Sequence, residues 1–319
     1  MDCTPKTGKA LLDDIENLEI TRKAIVDEFL YERDIFMMAA DSGVGKSTIT
    51  IQLALSLSSG TPLFGSLNTR KARTYVMQVE GDYEESIERM RFMKKTIPVD
   101  PDYLCWDAYK KIDISKDISV GAIIRRIRDS FQPEVIIIDP IYKLSKYDIC
   151  EGEGALLFVN FSDALMDAFG NSNFAVHHNT KDSYIMVDGK KAMKADAYYG
   201  HSFIKNHVRT SYALTQNEER SAPCLVRKKG RGSDTLSRIA LSYDPDTMTC
   251  TMDMSAIPAL DRAKAYIKSC AAMGRKTDFY DVSNQCHISH AQLRRFKKDL
   301  LPLFTVSTTT KNREVWNPN

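Results

Sequence analysis

Short, almost uninterrupted apolar runs alternate with amphipathic stretches over most of the chain. Residues 35–40 form one such run, and residues 133–139 place four branched aliphatic residues in succession before Asp139. Runs of this kind are typical of strands buried on both faces of a parallel sheet. Residues 72–79 alternate and are rich in strand-forming residues. The pattern therefore predicts an α/β protein whose twisted sheet is mostly parallel, with helices on both faces.

Helices are predicted between these strands. Residues 49–57 are almost all apolar, as expected of a helix enclosed between the sheet and a cover, and the run ends at Ser58-Ser59-Gly60. Further amphipathic stretches predict helices, and shorter apolar runs predict two more strands and an antiparallel extension of the sheet. These helices are at residues 83–95, 118–131 and 152–169, the strands at 103–108 and 173–181, and the extension at 209–216, 224–227, 238–243 and 248–252.

The pattern divides the chain into three parts. Residues 1–33 are predicted to be a helical lead-in, with apolar patches at residues 11–15 and 24–30. Residues 34–254 form the α/β core. Residues 257–319 are predicted to contain three helices and a terminal hairpin, an order that resembles a winged helix-turn-helix. A basic three-helix interaction domain is the alternative for this last part.

The third helix of the C-terminal part carries the basic residues that indicate a partner. A capping box of Ser289 and Gln292 starts this helix, so its inward face is expected to hold Leu293, Phe296, Leu300 and Leu301. The exposed side then presents Arg294, Arg295, Lys297 and Lys298. Residues 257–319 hold 11 Lys and Arg against 5 Asp and Glu, whereas the whole chain has a net charge of +2. A basic surface is typical of nucleic-acid contact, although a solvated helix face gives the same pattern.

Composition limits the class of protein. With 43% hydrophobic and 27% charged residues over 319 positions, the chain is expected to be a soluble globular protein with a large core. No apolar run approaches the ~20 residues of a membrane-spanning helix, and residues 1–9 lack the apolar segment of a signal peptide. The seven cysteines include no Cys-x-x-Cys pair, which argues against a structural zinc site or a disulfide framework. We therefore expect a reducing, cytoplasmic location.

The turn between the first core strand and its helix ends in Gly45-Lys46-Ser47, the end of a phosphate-binding loop. Gly43 and Gly45 let the backbone fold around an anion, and the helix presents its positive end to the same anion. Lys46 then reaches the phosphates, and the Ser47 hydroxyl ligates Mg²⁺. The loop predicts binding of ATP with Mg²⁺ through Ala40, Asp41, Ser42, Gly43, Val44, Gly45, Lys46, Ser47 and Thr48.

Two carboxylates follow predicted strands at the edge where ligands bind in such sheets. Glu80 follows the strand at residues 72–79 and is the candidate for the base that orients the attacking water, although an acid that ends a strand in a turn is the alternative. Asp139 follows a fully apolar strand, roughly 90 residues after Lys46, a spacing typical of such ATPases. We therefore expect Asp139 and Ser47 to hold the Mg²⁺ ion.

His177 and His178 lie in the polar end of another predicted strand, at residues 173–181. Adjacent residues on a strand point to opposite faces, so the two rings are not expected to ligate one ion. One ring is interpreted as structural, and His178 is the candidate sensor of the γ-phosphate. Beyond them, residues 181–199 are predicted to be a polar, flexible loop that either grips a DNA backbone or is ordinary solvated chain. Its candidate DNA-binding residues are Lys190, Lys191 and Lys194.

Taken together, these segments resemble the RecA-type hexameric replicative helicases, in particular the RepA-like helicases of plasmids and other mobile elements. The resemblance covers roughly residues 15–253. It rests on the loop at 40–47, Val79-Glu80-Gly81-Asp82, Ile138-Asp139-Pro140, His177-His178-x-x-Lys181, the segment from Gly200-His201-Ser202 to Arg209, and Arg227-Lys228-Lys229. Ala40 replaces the usual first glycine, and Tyr199-Gly200-His201-Ser202 replaces an Arg-Gly-Ser-Ser type of run.

The resemblance implies a RecA-like P-loop core and a role for each matching residue. It implies that Glu80 activates water, that Asp139 supports Mg²⁺, and that the histidine segment couples the nucleotide state to DNA. It also implies that an arginine, either Arg209 or Arg231, reaches the nucleotide of the neighbouring subunit.

The expected function is therefore an ATP-dependent, ring-forming DNA helicase that acts in the replication of a plasmid, phage or other mobile element. The expected assembly is a homo-hexamer with single-stranded DNA in its channel, and duplex DNA or a replication protein is expected at the C-terminal part. Two alternatives stay open. One is a RecA-like recombination or repair ATPase that forms filaments, and the other is a DNA-binding regulator that uses ATP as a switch.

Overall fold

The computed structural model describes residues 7–17, 23–178, 184–187, 190–193, 200–216, 223–230, 236–253, 259–272, 274–286, 288–308 and 314–318. The helices are α1 (Gly8–Asn17), α2 (Lys46–Ser59), α3 (Tyr83–Met93), α4 (Asp117–Ser130), α5 (Gly152–Phe169), α6 (Ser202–His207), α7 (Ala259–Ala272), α8 (Phe279–Gln285) and α9 (His290–Leu300). The strands are β1 (Ala24–Val26), β2 (Leu30–Tyr31), β3 (Ile35–Ala40), β4 (Thr74–Gln78), β5 (Leu104–Ala108), β6 (Val135–Asp139), β7 (Ser172–His178), β8 (Tyr184–Val187), β9 (Lys190–Met193), β10 (Thr210–Gln216), β11 (Pro223–Lys229), β12 (Arg238–Asp244), β13 (Thr249–Met252), β14 (Phe304–Thr308) and β15 (Glu314–Pro318).

A nine-stranded sheet forms the centre of the described chain, in the order β13-β12-β11-β10-β3-β7-β6-β4-β5. From β10 to β5 in this order, neighbouring strands are parallel, and from β10 to β13 they are antiparallel. The predicted α/β class, with a mostly parallel sheet and an antiparallel extension, is confirmed. One detail differs from the prediction, because β10 pairs in parallel with β3 and only its other side begins the antiparallel part.

Alternate residues of the central strands pack into two separate apolar clusters, one on each face of the sheet. On β3, Phe36 and Met38 belong to the first cluster, while Met37 and Ala39 belong to the second. The first cluster also takes Ile49, Leu53 and Leu57 from α2. The second takes Ile123 and Ile127 from α4 and Phe158, Phe161 and Leu165 from α5. Because both faces of the sheet are covered at its centre, β3 is apolar along its whole length and β6 is apolar up to Asp139.

The prediction of a helical lead-in is wrong for residues 24–31, which form the antiparallel pair β1-β2. Glu28 in the connecting turn has a φ of 59°, which an α-helix does not allow. Phe29 is fully buried and packs against the ring of Phe36 at 4.7 Å, next to the rings of Phe174 and Tyr212. The apolar spacing that suits a helix therefore reflects a hairpin whose residues enter the first core cluster.

Residues 184–193, predicted to belong to a flexible loop, contain the antiparallel pair β8-β9. Lys190 and Lys191 start β9, whereas Lys194 lies outside the described residues. The two strands are held by backbone pairing, which begins with Tyr184 opposite Met193. The sequence alone favours a solvated loop here because of the lysines.

The C-terminal part contains the three predicted helices, followed by the hairpin β14-β15. The capping box of Ser289 and Gln292 is present at the start of α9. Leu293 and Leu300 are buried as predicted, but Leu301 is 45% exposed because α9 ends at Leu300 and a short 3₁₀ turn follows. These elements match the order of a winged helix, and a winged-helix role stays a prediction.

Gln52 ties the edge strand of the sheet to α2. Its side-chain amide donates to the carbonyl of Cys250 at 2.7 Å, and its carbonyl oxygen accepts from the Cys250 N–H at 2.7 Å. Gln52 is 2% exposed, so both β13 backbone groups are paired out of reach of bulk water. A buried backbone group left without a partner costs ~1–3 kcal/mol.

Gln52→Leu keeps the approximate side-chain volume but removes both hydrogen bonds. We expect the free energy of unfolding to fall by ~2–4 kcal/mol, because two buried backbone groups lose their partners. Urea unfolding followed by circular dichroism measures this change. The matched control is Gln132→Leu, since the Gln132 side chain is exposed. Equal stability of the two variants would show that the Gln52 bridge contributes nothing.

Candidate functional site

The carboxyl ends of β3, β4, β6 and β7 meet at one edge of the sheet, because these strands are parallel neighbours. In the sheet register Ala40 lies opposite His178, and Gln78 lies opposite Asp139. The phosphate-binding loop and the polar strand ends therefore face one cleft of about 430 Å³. The predicted site residues that line it are Ser42, Gly43, Gly45, Lys46, Ser47, Thr48, Glu80, Asp139 and His178.

Two glycines give the loop its shape. Gly43 and Gly45 have φ values of 82° and 96°, in the left-handed region that other residues rarely adopt. A Cβ at either position would meet nothing within 4 Å, so the backbone conformation and not crowding requires glycine. Gly45 is also the N-cap of α2 and brings no side-chain cap. The first-turn amides of α2 therefore present the positive end of the helix to the cleft.

Lys46 is 6% exposed, and its ammonium group lies at the base of the loop. It donates to the backbone carbonyls of Ala40, at 3.2 Å, and of Asp41. Burial lowers the pKa of Lys46, whereas the negative charges of Asp139, Asp41 and Glu80 act in the opposite direction. The predicted loop residue Val44 packs against the first core cluster instead of lining the cleft.

Asp139 ends β6 and lines the cleft together with Ser47. Burial is the main reason that the pKa of Asp139 is raised to about 6; the Thr50 hydroxyl and the ammonium of Lys46 oppose the rise, and the Glu80 carboxylate contributes to it. A buried carboxyl group of this kind is stabilised as a carboxylate by a nearby cation. Its position in the same cleft as the Ser47 hydroxyl suits the predicted metal role.

Glu80 stands two residues beyond the end of β4, with its side chain 39% exposed in the cleft. The phenol of Tyr142 donates to Glu80 Oε1. His178 Nε2 lies 3.7 Å from Glu80 Oε2, and Lys143 Nζ lies 3.9 Å from Glu80 Oε1. The carboxylate is therefore held among one donor and two potential cations while it still faces the open cleft.

The two histidines have different surroundings, as the strand geometry predicts. His178 lines the cleft and packs edge-on against Tyr142 at 5.0 Å. Burial lowers the pKa of His178, and the charge of Lys46 lowers it further, against the effect of Glu80. His177 is 1% exposed, and burial, together with the neighbouring His178, lowers its pKa to about 4. His177 is therefore a neutral, buried residue outside the cleft.

The sequence analysis missed several residues that line this cleft or contact Glu80. Tyr142 and Lys143 lie in the 3₁₀ turn Ile141–Lys143, directly after the strand that ends at Asp139. Their short distance along the chain from that strand end is a usable signal. Arg89 lines the cleft from α3 and pairs with Glu85 at 3.2 Å. Gln78 and Trp106 also line it, and their hydrogen bond of 2.7 Å joins two strands, which spacing along the chain does not reveal.

Arg209 lies far from the cleft of its own chain. Its backbone N–H donates to the carbonyl of Ile35, and its guanidinium donates to the carbonyl of Arg33 at 2.8 Å. Ile35 starts β3, whereas the loop begins at the other end of this strand, ~17 Å away at ~3.3 Å per residue. Arg294, Arg295 and Lys298 on α9 are not among the residues that line the cleft, and Lys190 and Lys191 start β9. Lys181, Lys194 and Arg231 lie outside the described residues.

The residues present fit ATP and Mg²⁺. The ammonium of Lys46 has three donors, of which the two loop carbonyls take two. The α2 amides and Lys46 would hold the phosphates, and Ser47 and Asp139 would hold Mg²⁺. This arrangement would place negative phosphate near the buried ammonium and a cation near the buried carboxyl group, so it would offset both unfavourable burials.

Comparison with known families supports this assignment. The profile of the family described as AAA domain matches residues 4–184, which is more than half of the chain. Over 157 residues the chain is 25% identical to the DNA repair protein RadA of Pseudomonas aeruginosa. That alignment takes in 48% of this chain but only 29% of RadA, so the chain spans less than a third of its curated relative.

Two solved structures have the same fold. One, described as an ATPase domain, gives a TM-score of 0.54 at 11% identity, with 76% of this chain and 95% of that chain covered. The other is the structure of a DnaB-like replicative helicase, described together with its interactions with primase. It gives a TM-score of 0.53 at 11% identity, with 76% of this chain and 66% of that chain covered. No helix of the described residues is long and apolar enough to span a bilayer. The chain therefore belongs to the AAA domain family, and its core has the RecA-like P-loop ATPase fold.

Proposed function

We propose that this protein is an ATP-dependent DNA helicase or translocase that works as a ring and hydrolyses ATP at the contacts between its subunits. The observation that carries the proposal is the position of Glu80, which faces the phosphate loop across the cleft in contact with His178 and Tyr142. A carboxylate at this place is suited to orient water for attack on a terminal phosphate. The cleft therefore supports hydrolysis rather than nucleotide binding alone.

Each residue of the cleft has a separate task in the proposal. Lys46 and the α2 amides bind the phosphates and stabilise the negative charge that develops on them. Ser47 and Asp139 orient the metal ion, which supplies further charge stabilisation when it is bound. Glu80 accepts a hydrogen bond from the attacking water. His178 contacts Glu80 directly, so it is placed to transmit the state of the cleft to the segment that follows β7.

A neighbouring subunit completes the site in this proposal. Arg209 lies at the amino end of the parallel strands, whereas the cleft lies at their carboxyl end, so Arg209 does not serve its own cleft. If the chains pack with these opposite edges in contact, Arg209 reaches the cleft of the neighbour. Charge that develops on a transferring phosphate is stabilised by such an arginine, with effects on turnover of ~10³–10⁵ where they have been measured. Arg231 is the second candidate for this role.

The DNA contacts are proposed in two places. Lys190 and Lys191 start β9, on the segment that follows the cleft residue His178. Arg294, Arg295 and Lys298 are exposed on α9, which has a capped start and a buried apolar face. The first set suits single-stranded DNA in a channel, and the second suits the duplex backbone or an acidic partner protein. Action in the replication of a plasmid, phage or other mobile element is part of the same proposal.

A repair ATPase that forms filaments is the second candidate, and the 25% identity to RadA favours it. The two functions predict different assemblies on single-stranded DNA. Electron microscopy with a non-hydrolysable ATP analogue and single-stranded DNA separates them, together with an unwinding assay on a forked duplex. Closed rings with unwinding support the helicase, whereas extended filaments without unwinding would replace it with the repair ATPase.

The first prediction from this proposal tests the cleft by two substitutions. Lys46→Ala removes the ammonium beside the phosphates, and Glu80→Gln removes the base but keeps the size of the side chain. We expect each to lower DNA-stimulated ATP turnover by ~10²–10³-fold. Glu80→Gln should still bind ATP with near-normal affinity, whereas Lys46→Ala should bind it more weakly. Turnover above a tenth of the wild-type rate in Lys46→Ala would exclude the assigned loop.

The second prediction tests whether the site is shared between subunits. Subunits with Arg209→Ala are mixed with Lys46→Ala subunits, and each variant is expected to be inactive alone. Some contacts in the mixed assembly join an intact loop to an intact arginine, so partial ATPase activity should return.

The control mixes Lys46→Ala with Glu80→Gln subunits. Both changes lie in the same cleft, so no contact in this mixture has a complete site and activity should stay absent. Normal turnover of Arg209→Ala alone, with DNA present, would remove Arg209 from the site and leave Arg231 as the candidate.

The third prediction concerns α9. Arg294→Gln with Arg295→Gln should weaken binding of duplex DNA. The negative slope of log K against log salt concentration should also become less steep, by about 1 for each phosphate that the variant no longer neutralises. Fluorescence anisotropy at several salt concentrations measures this slope. The matched control, Arg125→Gln with Arg128→Gln, removes two exposed arginines from α4. Unchanged duplex affinity in the α9 variant at every salt concentration would mark the C-terminal part as a protein-binding or structural module.

A further inference from the structure

A buried glutamine holds the turn that carries Glu80. Gln78 is the last residue of β4 and is 7% exposed. Its side-chain NH₂ group donates to the backbone carbonyl of Glu80 at 3.2 Å and to the backbone carbonyl of Asp82 at 3.2 Å. One amide group therefore bridges both ends of the turn at residues 80–82. The turn also depends on Gly81, whose φ is 82°.

Trp106 sets the orientation of this amide. The indole N–H of Trp106 donates to Gln78 Oε1 at 2.7 Å. An indole is only a donor, so it must meet the oxygen end of the amide, and the NH₂ end must then point to the turn. The two residues come from adjacent parallel strands, where Trp106 lies opposite Val76 in the register. Trp106, Gln78 and the turn thus form one chain of hydrogen bonds.

This chain of hydrogen bonds separates two cavities. Gln78, Trp106 and the turn at residues 80–82 line the nucleotide cleft of about 430 Å³ and also a neighbouring cavity of about 1190 Å³. The turn at residues 80–82 therefore lies between the two cavities and borders both of them. Gln78 fixes the backbone of the turn, and Tyr142 holds the Glu80 carboxylate through its phenol.

We propose that Gln78, oriented by Trp106, is a positioning residue that fixes the Glu80 backbone so that its carboxylate stands at the distance required for water attack. The inference rests on the proposed role of Glu80 as the base. A base must lie within hydrogen-bond reach of the water that it orients, and a misplacement of ~1 Å can lower the rate ~10²-fold. Gln78 itself touches neither water nor phosphate in this proposal.

Three variants test separate links. Gln78→Leu removes every hydrogen bond of the amide. Gln78→Glu retains an acceptor for Trp106 but loses the donor to the turn. Trp106→Phe keeps the Gln78 amide but removes the group that orients it. Gln132→Leu, on an exposed glutamine outside the cleft, is the matched control.

The expected result is a loss of turnover without a loss of nucleotide binding. We expect kcat for ATP to fall ~10- to 100-fold in Gln78→Leu and Gln78→Glu and less in Trp106→Phe. The affinity of Gln78→Leu for a non-hydrolysable ATP analogue should stay within about threefold of the wild-type value, because Trp106 and the turn carbonyls already engage both ends of the Gln78 amide. Hydrogen exchange of the amides at residues 79–86, measured without nucleotide, should be faster in Gln78→Leu and unchanged in Gln132→Leu.

A double-variant comparison shows whether Gln78 acts through Glu80. Single-turnover hydrolysis is measured for Gln78→Leu in the wild-type background and in the Glu80→Gln background. If Gln78 acts by placing the Glu80 carboxylate, Gln78→Leu should have no further effect in the Glu80→Gln background, because that carboxylate is already absent. An equal fold-loss in both backgrounds would overturn the proposal, and so would a loss of analogue affinity as large as the loss of kcat.

Failure of this inference and failure of the proposed function give different results. If Glu80→Gln is inactive while Gln78→Leu turns over at the wild-type rate, the base assignment stands and the positioning role is excluded. If Glu80→Gln retains normal turnover, the base assignment is wrong and the positioning role falls with it.

Discussion

The burial of α2 is the constraint on which the candidate site depends. Every residue of this helix from Ile49 to Ser58 is buried, so the helix needs partners on several sides. The sheet supplies one, α3 and the segment that follows it supply a second through Met93 and Ile97, and Gln52 bonds the edge strand β13. A helix enclosed in this way has a fixed direction, and its uncapped N-terminus is directed at the edge where β4, β6 and β7 end. The position of the phosphate loop thus follows from the packing of the core.

The charges of the cleft follow from the same packing. Burial lowers the pKa of Lys46 and raises that of Asp139, so each group is less stable in its charged form than it would be in water. Glu80, which is more exposed, is held by Tyr142 and lies near His178. In the proposed function, the buried Lys46 and the half-buried Asp139 bind phosphate and metal, and the more exposed Glu80 carboxylate contacts water. Binding and hydrolysis would then be divided between side chains at different depths along one edge of the sheet.

The parts of this structure that sequence reasoning predicts are those set by local pattern. The loop at residues 40–48, Glu80 and Asp139 follow apolar runs, and parallel pairing of those runs brings their ends together. The hairpin at residues 24–31 escapes prediction because the spacing from Ile25 to Phe29 suits a helix face as well as two short strands. Tyr142 could be predicted from the sequence, because it follows Asp139 by three residues. The hydrogen bond between Trp106 and Gln78 could not be predicted, because it depends on which strands are neighbours in the sheet.

The task of an ATPase with this fold depends less on the nucleotide cleft than on how the cleft is coupled to a neighbouring subunit and to DNA. The fold is shared with a DnaB-like replicative helicase and with another ATPase domain, while the curated relative is a repair protein. What differs between such tasks is how the hydrolysis site is coupled to a neighbour and to DNA. In this chain Arg209 lies at the opposite end of the parallel strands from Glu80, and the C-terminal helices have an apolar cluster of their own. In the proposed function, coupling passes through the turn that holds Glu80 and through the contact between subunits, since Arg209 lies a full strand length from the cleft of its own chain.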